Sequence, residues 1–127
     1  MIRFTVLGNP ATKKNSSRII YNKRIGRSMI IPSEVYTRYA KVFISQVPVD
    51  YRIGINKPII ARYLYYMQTR RIVDLVGLEQ ATNDLLVTAG VLQDDNSRIV
   101  RSHDGSRVFY DKDNPRVEIQ LIPIGKD

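Results

Sequence analysis

The segment KPIIARYLYYMQ (Lys57–Gln68) is followed by TRRIVD and then by LVGLEQATNDLLVTAG. The first stretch is dense in Ile, Tyr and Leu, side chains that suit a pleated, half-buried surface, and it predicts a long strand. The apolar period then changes. Leu78, Ala81, Leu85, Leu86 and Ala89 recur at helical spacing, which predicts a helix from about Leu78 to Ala89. Gly90 suits the left-handed turn that closes such a helix. Gln80, Asn83, Asp84 and Val87 are expected to flank the apolar stripe or point away from it. A long strand that feeds a helix through a short basic link commits the chain to a layered fold, because each element has an apolar side that needs the other.

The flanking segments fit around that unit. Ile2–Gly8 alternates polar and apolar residues and predicts a strand; Asn9–Arg18 reads as a polar loop. Ile19–Ile30 fits either a hairpin around NKRIG or a mobile basic loop. Ser33 is placed to cap a helix that begins at Glu34 and ends at Pro48. Its apolar face would hold Val35, Tyr36, Tyr39, Ala40, Phe43, Ile44 and Val47. VDYRIGIN then reads as a connection. Beyond Gly90 the chain predicts strands, with a tight hairpin turn at Asp104–Gly105, another turn at Asp113–Pro115 and a last strand at Val117–Ile122. Tyr36, Tyr39, Tyr63 and Tyr65 read as core. The fold class is α+β (mixed α/β): one small domain over 127 residues, with a mixed sheet packed against two main helices.

Some classes are excluded. With no cysteine there is neither a disulfide nor a thiolate zinc site. No apolar run is long enough to span a membrane, and MIRFTVLGNP lacks the apolar stretch of a secretory signal, so a cytoplasmic protein with no membrane partner is expected.

The net charge of +8 is unevenly spread. Residues 1–73 hold 14 Lys and Arg against Glu34 and Asp50, whereas residues 74–127 hold 6 against 10 acids. A half this basic points to a polyanion. The acids gather instead around the second helix: Asp74 before it, Asp94 and Asp95 beyond it. The helix is about 18 Å long. The residues after Gly90 reach about 13–18 Å when extended, so a return path brings Asp94 or Asp95 within reach of Asp74. Carboxylates held close repel unless a cation compensates. A hard divalent ion such as Mg²⁺ takes one or two carboxylates and often a substrate phosphate. Basic loops that hold a phosphate backbone and acids that hold a metal together describe phosphodiester hydrolysis. The plain alternative is a set of solvated acids around a helix and a loop.

RRIVDLVGLEQATNDLLVTAGVLQDD (Arg70–Asp95) is similar to the core segment of the RusA family of Holliday-junction resolvases of bacteria and their phages, and GNPATKKNS resembles that family's N-terminal strand and loop. The resemblance implies a RusA-like domain acting as a homodimeric, Mg²⁺-dependent endonuclease, with Mn²⁺ as a substitute, that places paired symmetric nicks in four-way DNA junctions. It implies Asp74 and Asp95 as principal metal ligands and catalytic residues, Asp94 as their neighbour in the site, and Arg70 and Arg71 as basic residues beside it. It also implies a bacterial cell as the setting, with the bacterium itself or a phage or prophage as the source. Two positions depart from the family pattern: its second aspartate is Val76 here, with Gly77 after it, and an early helix lysine is Gln80. Glu79, Asp84 and Asp104 are the acids available as substitutes, but Glu79 reads rather as a favourable acid at a helix start and Asp104 rather as a turn residue, while Asp84 fits a solvated acid as well as a site one; His103 reads as incidental.

Lys13, Lys14, Arg18, Lys23, Arg24 and Arg27, with Arg70 and Arg71, are expected to contact DNA phosphates without sequence preference. Tyr21, amid basic residues, is the candidate for stacking on an unpaired base. Two other readings stand beside the nuclease. One is a branched-DNA-binding protein that has lost catalysis, motivated by Val76. The other is a basic RNA-binding domain.

Overall fold

The computed structural model describes residues 1–13, 17–32 and 34–125, with backbone alone at 17–20, 22 and 29–32. Lys14, the Ser33 cap and the side chain of Arg18 therefore lie outside the described residues. The elements run β1 (Ile2–Leu7), β2 (Ser17–Asn22), β3 (Arg27–Pro32), α1 (Glu34–Gln46), a 3₁₀ turn (Val49–Tyr51), β4 (Ile59–Met67), α2 (Leu75–Thr88), β5 (Val100–Ser102), β6 (Arg107–Tyr110) and β7 (Arg116–Pro123).

The sheet is built around β4. Its Ile59, Ala61, Tyr63, Tyr65 and Met67 are buried while the residues between them are half-buried, the period of two that the segment's composition predicted. β7 pairs antiparallel with β4 on one side and with β1 on its own far side. On the other side of β4, β5 and β6 both pair parallel with it, one after the other. The Asp104–Gly105 turn therefore does not join a hairpin, as the sequence reading expected. It is an excursion within one edge of the sheet. Gly105 has φ +84°, and a Cβ there would collide with the Arg62 side chain, whose Nε donates to the Asp104 carbonyl at 2.9 Å. β2 and β3 form a separate antiparallel hairpin, which settles the two readings of that segment.

Both helices lie on the face of the sheet that carries Tyr63 and Tyr65. Tyr36, Tyr39 and Phe43 of α1 are buried, but Val35 is 61% exposed and does not belong to the core face as expected. Gln46, at the end of α1, clamps the edge strand: its amide donates to Leu7 O and accepts from Leu7 N, both at 2.8 Å. α2 begins at Leu75, three residues earlier than its apolar stripe indicates, because Asp74 caps it. Leu78, Ala81, Leu85, Leu86 and Ala89 are all buried, and Gly90 follows with φ +83°. Among the described residues, no helix is long and apolar enough to cross a membrane.

Candidate functional site

α2 starts in an acid. Asp74 has extended backbone, and its Oδ1 accepts from Val76 N at 3.2 Å, satisfying one of the amides that a helix start leaves without partners. The other carboxyl oxygen lies over Gly77, where a Cβ would sit 3.3 Å away. Val76 is 59% exposed and contributes nothing to the core.

One face of α2 then opens a small cavity of about 120 Å³, lined by Thr12, Lys13, Gly77, Gln80, Ala81 and Asp84. The spacing of the α2 members, three and four residues apart, is that of one helix face. The far wall comes from the polar loop after β1. Lys13 Nζ stands 3.8 Å from Asp84 Oδ2 and 5.8 Å from the ring centre of Tyr36. The same loop is tied to the end of β4, since Asn9 Oδ1 accepts from Gln68 N at 2.9 Å. The loop after β1 and the outer face of α2, far apart in sequence, therefore share one surface.

Asp94 and Asp95 lie beyond the far end of α2. Asp94 organises its own turn: its oxygens accept from Asp95 N at 2.7 Å and from the Asn96 amide at 2.9 Å, and these bonds hold its carboxyl below the ordinary aspartate range. Asp95 is pushed the other way, by partial burial first and then by the charges of Asp84 and Asp94. The charge of Asp84 on α2 is thus felt at Asp95. Among the described residues no three Asp, Glu or His side chains converge as a ready-made ligand group. The donors present suit an ion held by one or two carboxylates and completed by water or substrate phosphate, the usual habit of Mg²⁺.

A second polar group, which the sequence reading did not assemble, lies on the inner side of the same helix. Asn83 was expected to flank the apolar stripe or point away from it, and it is 8% exposed. Tyr63 Oη donates to Asn83 Oδ1 at 2.6 Å, and Asn83 Nδ2 lies 3.2 Å from His103 Nε2. His103 Nδ1 is 2.7 Å from Ala61 O, a pure acceptor, so Nδ1 carries the proton and Nε2 accepts from Asn83. His103 is therefore a fixed joint between the Asp104–Gly105 excursion and β4, and not incidental. Glu79 turns in as well: its side chain is only 12% exposed and lies 3.7 Å from His103 Nδ1. Burial raises its carboxyl above the ordinary range; His103, whenever its ring is protonated, and a bond from Ser106 offset part of that rise. The spacing of Glu79 and Asn83, one helical turn apart, was the available signal. The arrival of His103 from a distant strand had none. Asp104 is exposed, and its backbone carbonyl is the group in use.

The basic residues fall in two places. Lys23, Arg24 and Arg27 are exposed at the turn of the β2–β3 hairpin, beside Tyr21 at 63% exposure. Arg70 and Arg71 lie in the link between β4 and α2; Arg70 stacks on Tyr110 at 4.2 Å, and Arg71 lines a groove of about 450 Å³ with Asn9, Pro10, Ile72 and Val73. No protein-family model matches the chain, and a comparison with curated proteins gives no match.

Proposed function

We propose that the chain is a metal-dependent DNA endonuclease of the RusA kind, acting on branched DNA as a homodimer. The observation that carries this reading is the meeting of the loop after β1 with the acidic face of α2, where Lys13 stands 3.8 Å from Asp84. A surface that sets an ammonium group beside carboxylates has both parts that phosphodiester hydrolysis needs.

In this reading Asp95, with its neighbour Asp94, offers one or two carboxylates to a divalent cation, and Asp74 stands exposed at the start of α2 as the counterpart of the family's first aspartate. When bound, the ion polarises a phosphoryl oxygen and lowers the pKa of a coordinated water. The side chains of this chain do the rest. Lys13 and the hairpin cations Lys23, Arg24 and Arg27 grip phosphates. Arg70 and Arg71, just ahead of Asp74, offset charge near the scissile bond. A dimer suits the task, because a junction cut at two related positions needs two sites related by a dyad.

The test is a labelled four-way junction incubated with Mg²⁺. The unaltered protein cuts it in paired positions, whereas Asp74→Asn and Asp95→Asn bind it with unchanged affinity and leave it whole. Cutting by both variants at the unaltered rate overturns the ligand assignment. A second reading, a branched-DNA-binding protein without catalysis, draws on the exposed Val76 and on the Lys13 ammonium at Asp84, where it serves as that acid's cation. It predicts tight binding by the unaltered protein and intact strands at every Mg²⁺ concentration.

A further inference from the structure

The sheet face turned away from the helices carries a row of stacked planes. The Arg116 guanidinium lies 3.8 Å over the ring of Tyr66, and Tyr66 stacks on Phe109 with centres 4.9 Å apart and planes 18° apart. The row crosses β7, β4 and β6 in register, through the pairs Tyr66↔Arg116 and Tyr66↔Phe109. Its inner end is fixed and neutralised: Arg116 bonds Asp111 and Glu118, each at 2.9 Å. Its outer end is open. Phe109 sits on the edge strand at 39% exposure, and among the described residues no further ring or cation covers its other side. A short edge strand with Val108, Phe109 and Tyr110 all exposed is more apolar surface than a free edge normally keeps.

The charges around this edge select its occupant. Arg107 is on the same side of the strand as Phe109, two residues away, and is exposed. A groove of about 350 Å³ beside the strand is lined by Thr69, Arg70, Arg71, Phe109 and Tyr110 among others. Arg70 is held flat on Tyr110, and among the described residues neither Arg71 nor Arg107 has a carboxylate partner. An open aromatic face next to two uncompensated guanidinium groups matches a planar base joined to a phosphodiester.

We propose that the Arg107–Tyr110 edge binds an unpaired nucleobase, stacked on the outer face of Phe109 as the next plane of the Arg116–Tyr66–Phe109 row, with Arg71 and Arg107 on the flanking phosphates. The inference rests on the chain being a nucleic-acid binder and is independent of whether it cuts. It places a single-stranded contact on the opposite side of the Arg70–Arg71 link from the acids of α2, so that one link serves both. Tyr21, the stacking residue expected from sequence, sits on the hairpin instead.

The test uses a single-stranded oligonucleotide carrying 2-aminopurine, in EDTA, with the full chain. Binding quenches the fluorophore. Phe109→Leu keeps apolar bulk against Tyr66 but removes the stacking plane, so it loses the quench and about tenfold in single-strand affinity. Phe109→Trp, which restores a plane, recovers both. Arg107→Gln lowers the salt dependence of single-strand binding by about one counterion. A quench that survives in Phe109→Leu overturns the proposal, as does unaltered protein that binds no single strand. A change of sedimentation in Phe109→Leu with the quench intact marks the edge as a contact between copies, and also overturns it. Affinity for a four-way junction, measured in the same buffer, separates these outcomes: junction binding without any single-strand quench removes this inference and leaves the nuclease reading standing.

Discussion

Glu79 and Asp84 stand on the same helix in opposite electrostatic settings. Glu79 is turned inward, 12% exposed, against His103 and Ser106, and belongs to a closed chain of bonds that continues through Asn83 to Tyr63. Asp84 is turned outward, 51% exposed; it pairs with Lys13 across a gap of 3.8 Å, and its charge helps to raise Asp95. The inner group has its polar needs met by the fold, as buried polar atoms require. The outer group gives the fold little. An exposed ion pair contributes about 0–1 kcal/mol, and like charges near one another oppose folding. Acids that folding does not need are the ones left for a ligand.

Substitutions should separate the two sides, and the largest effect is on activity. Asp95→Asn lowers Mg²⁺-dependent junction cutting by about a hundredfold or more while leaving the melting temperature unchanged or slightly raised; cutting time courses beside calorimetry read both. Asn83→Leu does the reverse. It strands Tyr63 Oη and His103 Nε2 and costs about 2–4 kcal/mol of unfolding free energy in urea melts, with junction affinity per folded molecule retained. If Asn83→Leu were as stable as the unaltered chain, the inner group would not be structural.

Gly105→Ala comes next. The alanine must adopt a positive φ and displace Arg62 from Asp104, at about 1–2 kcal/mol, read in the same urea melts. Lys13→Gln has the smallest effect on folding, below about 0.5 kcal/mol, yet it lowers the salt slope of junction binding by about one. An unchanged slope would remove Lys13 from the phosphate contacts.

The inner group also has a pH signature. Burial raises Glu79, so the folded state holds its proton more tightly than the unfolded chain does. Its contribution to stability is therefore full below the ordinary carboxylic range and is lost as the pH rises through the raised value. Glu79→Gln flattens that part of the stability–pH curve, measured by urea melts across the acid range. A curve with the same slope in both proteins would show that the Glu79 proton is not linked to folding.

The same contrast explains what the sequence made legible. The alternation along Ile59–Met67 and the helical stripe Leu78–Ala89 are local patterns, and both elements formed where those patterns lie. Asp74 was visible as a site acid, but its role as helix cap, which moves the start of α2 to Leu75, was hidden by the polar residues between it and Leu78. Asp-Gly at 104–105 carries a strong hairpin signal. Here it lost to the parallel pairing of β5 and β6 with β4, a long-range choice that turn residues do not encode. The acids of the candidate site were legible because charge patterning is local. Which acid meets which was not: that the charge of Asp84 reaches Asp95 while Glu79 faces His103 depends on where the chain passes after α2.

In the proposed nuclease the outer acids take up a cation and the inner ones do not, and Mn²⁺ titration followed by paramagnetic broadening of backbone amide signals distinguishes them. Early broadening is expected around Asp84, Asp94 and Asp95, abolished by Asp95→Asn, with the amides of Glu79 and His103 less affected. Broadening centred on Glu79 and His103, or none that Asp95→Asn removes, would contradict that assignment.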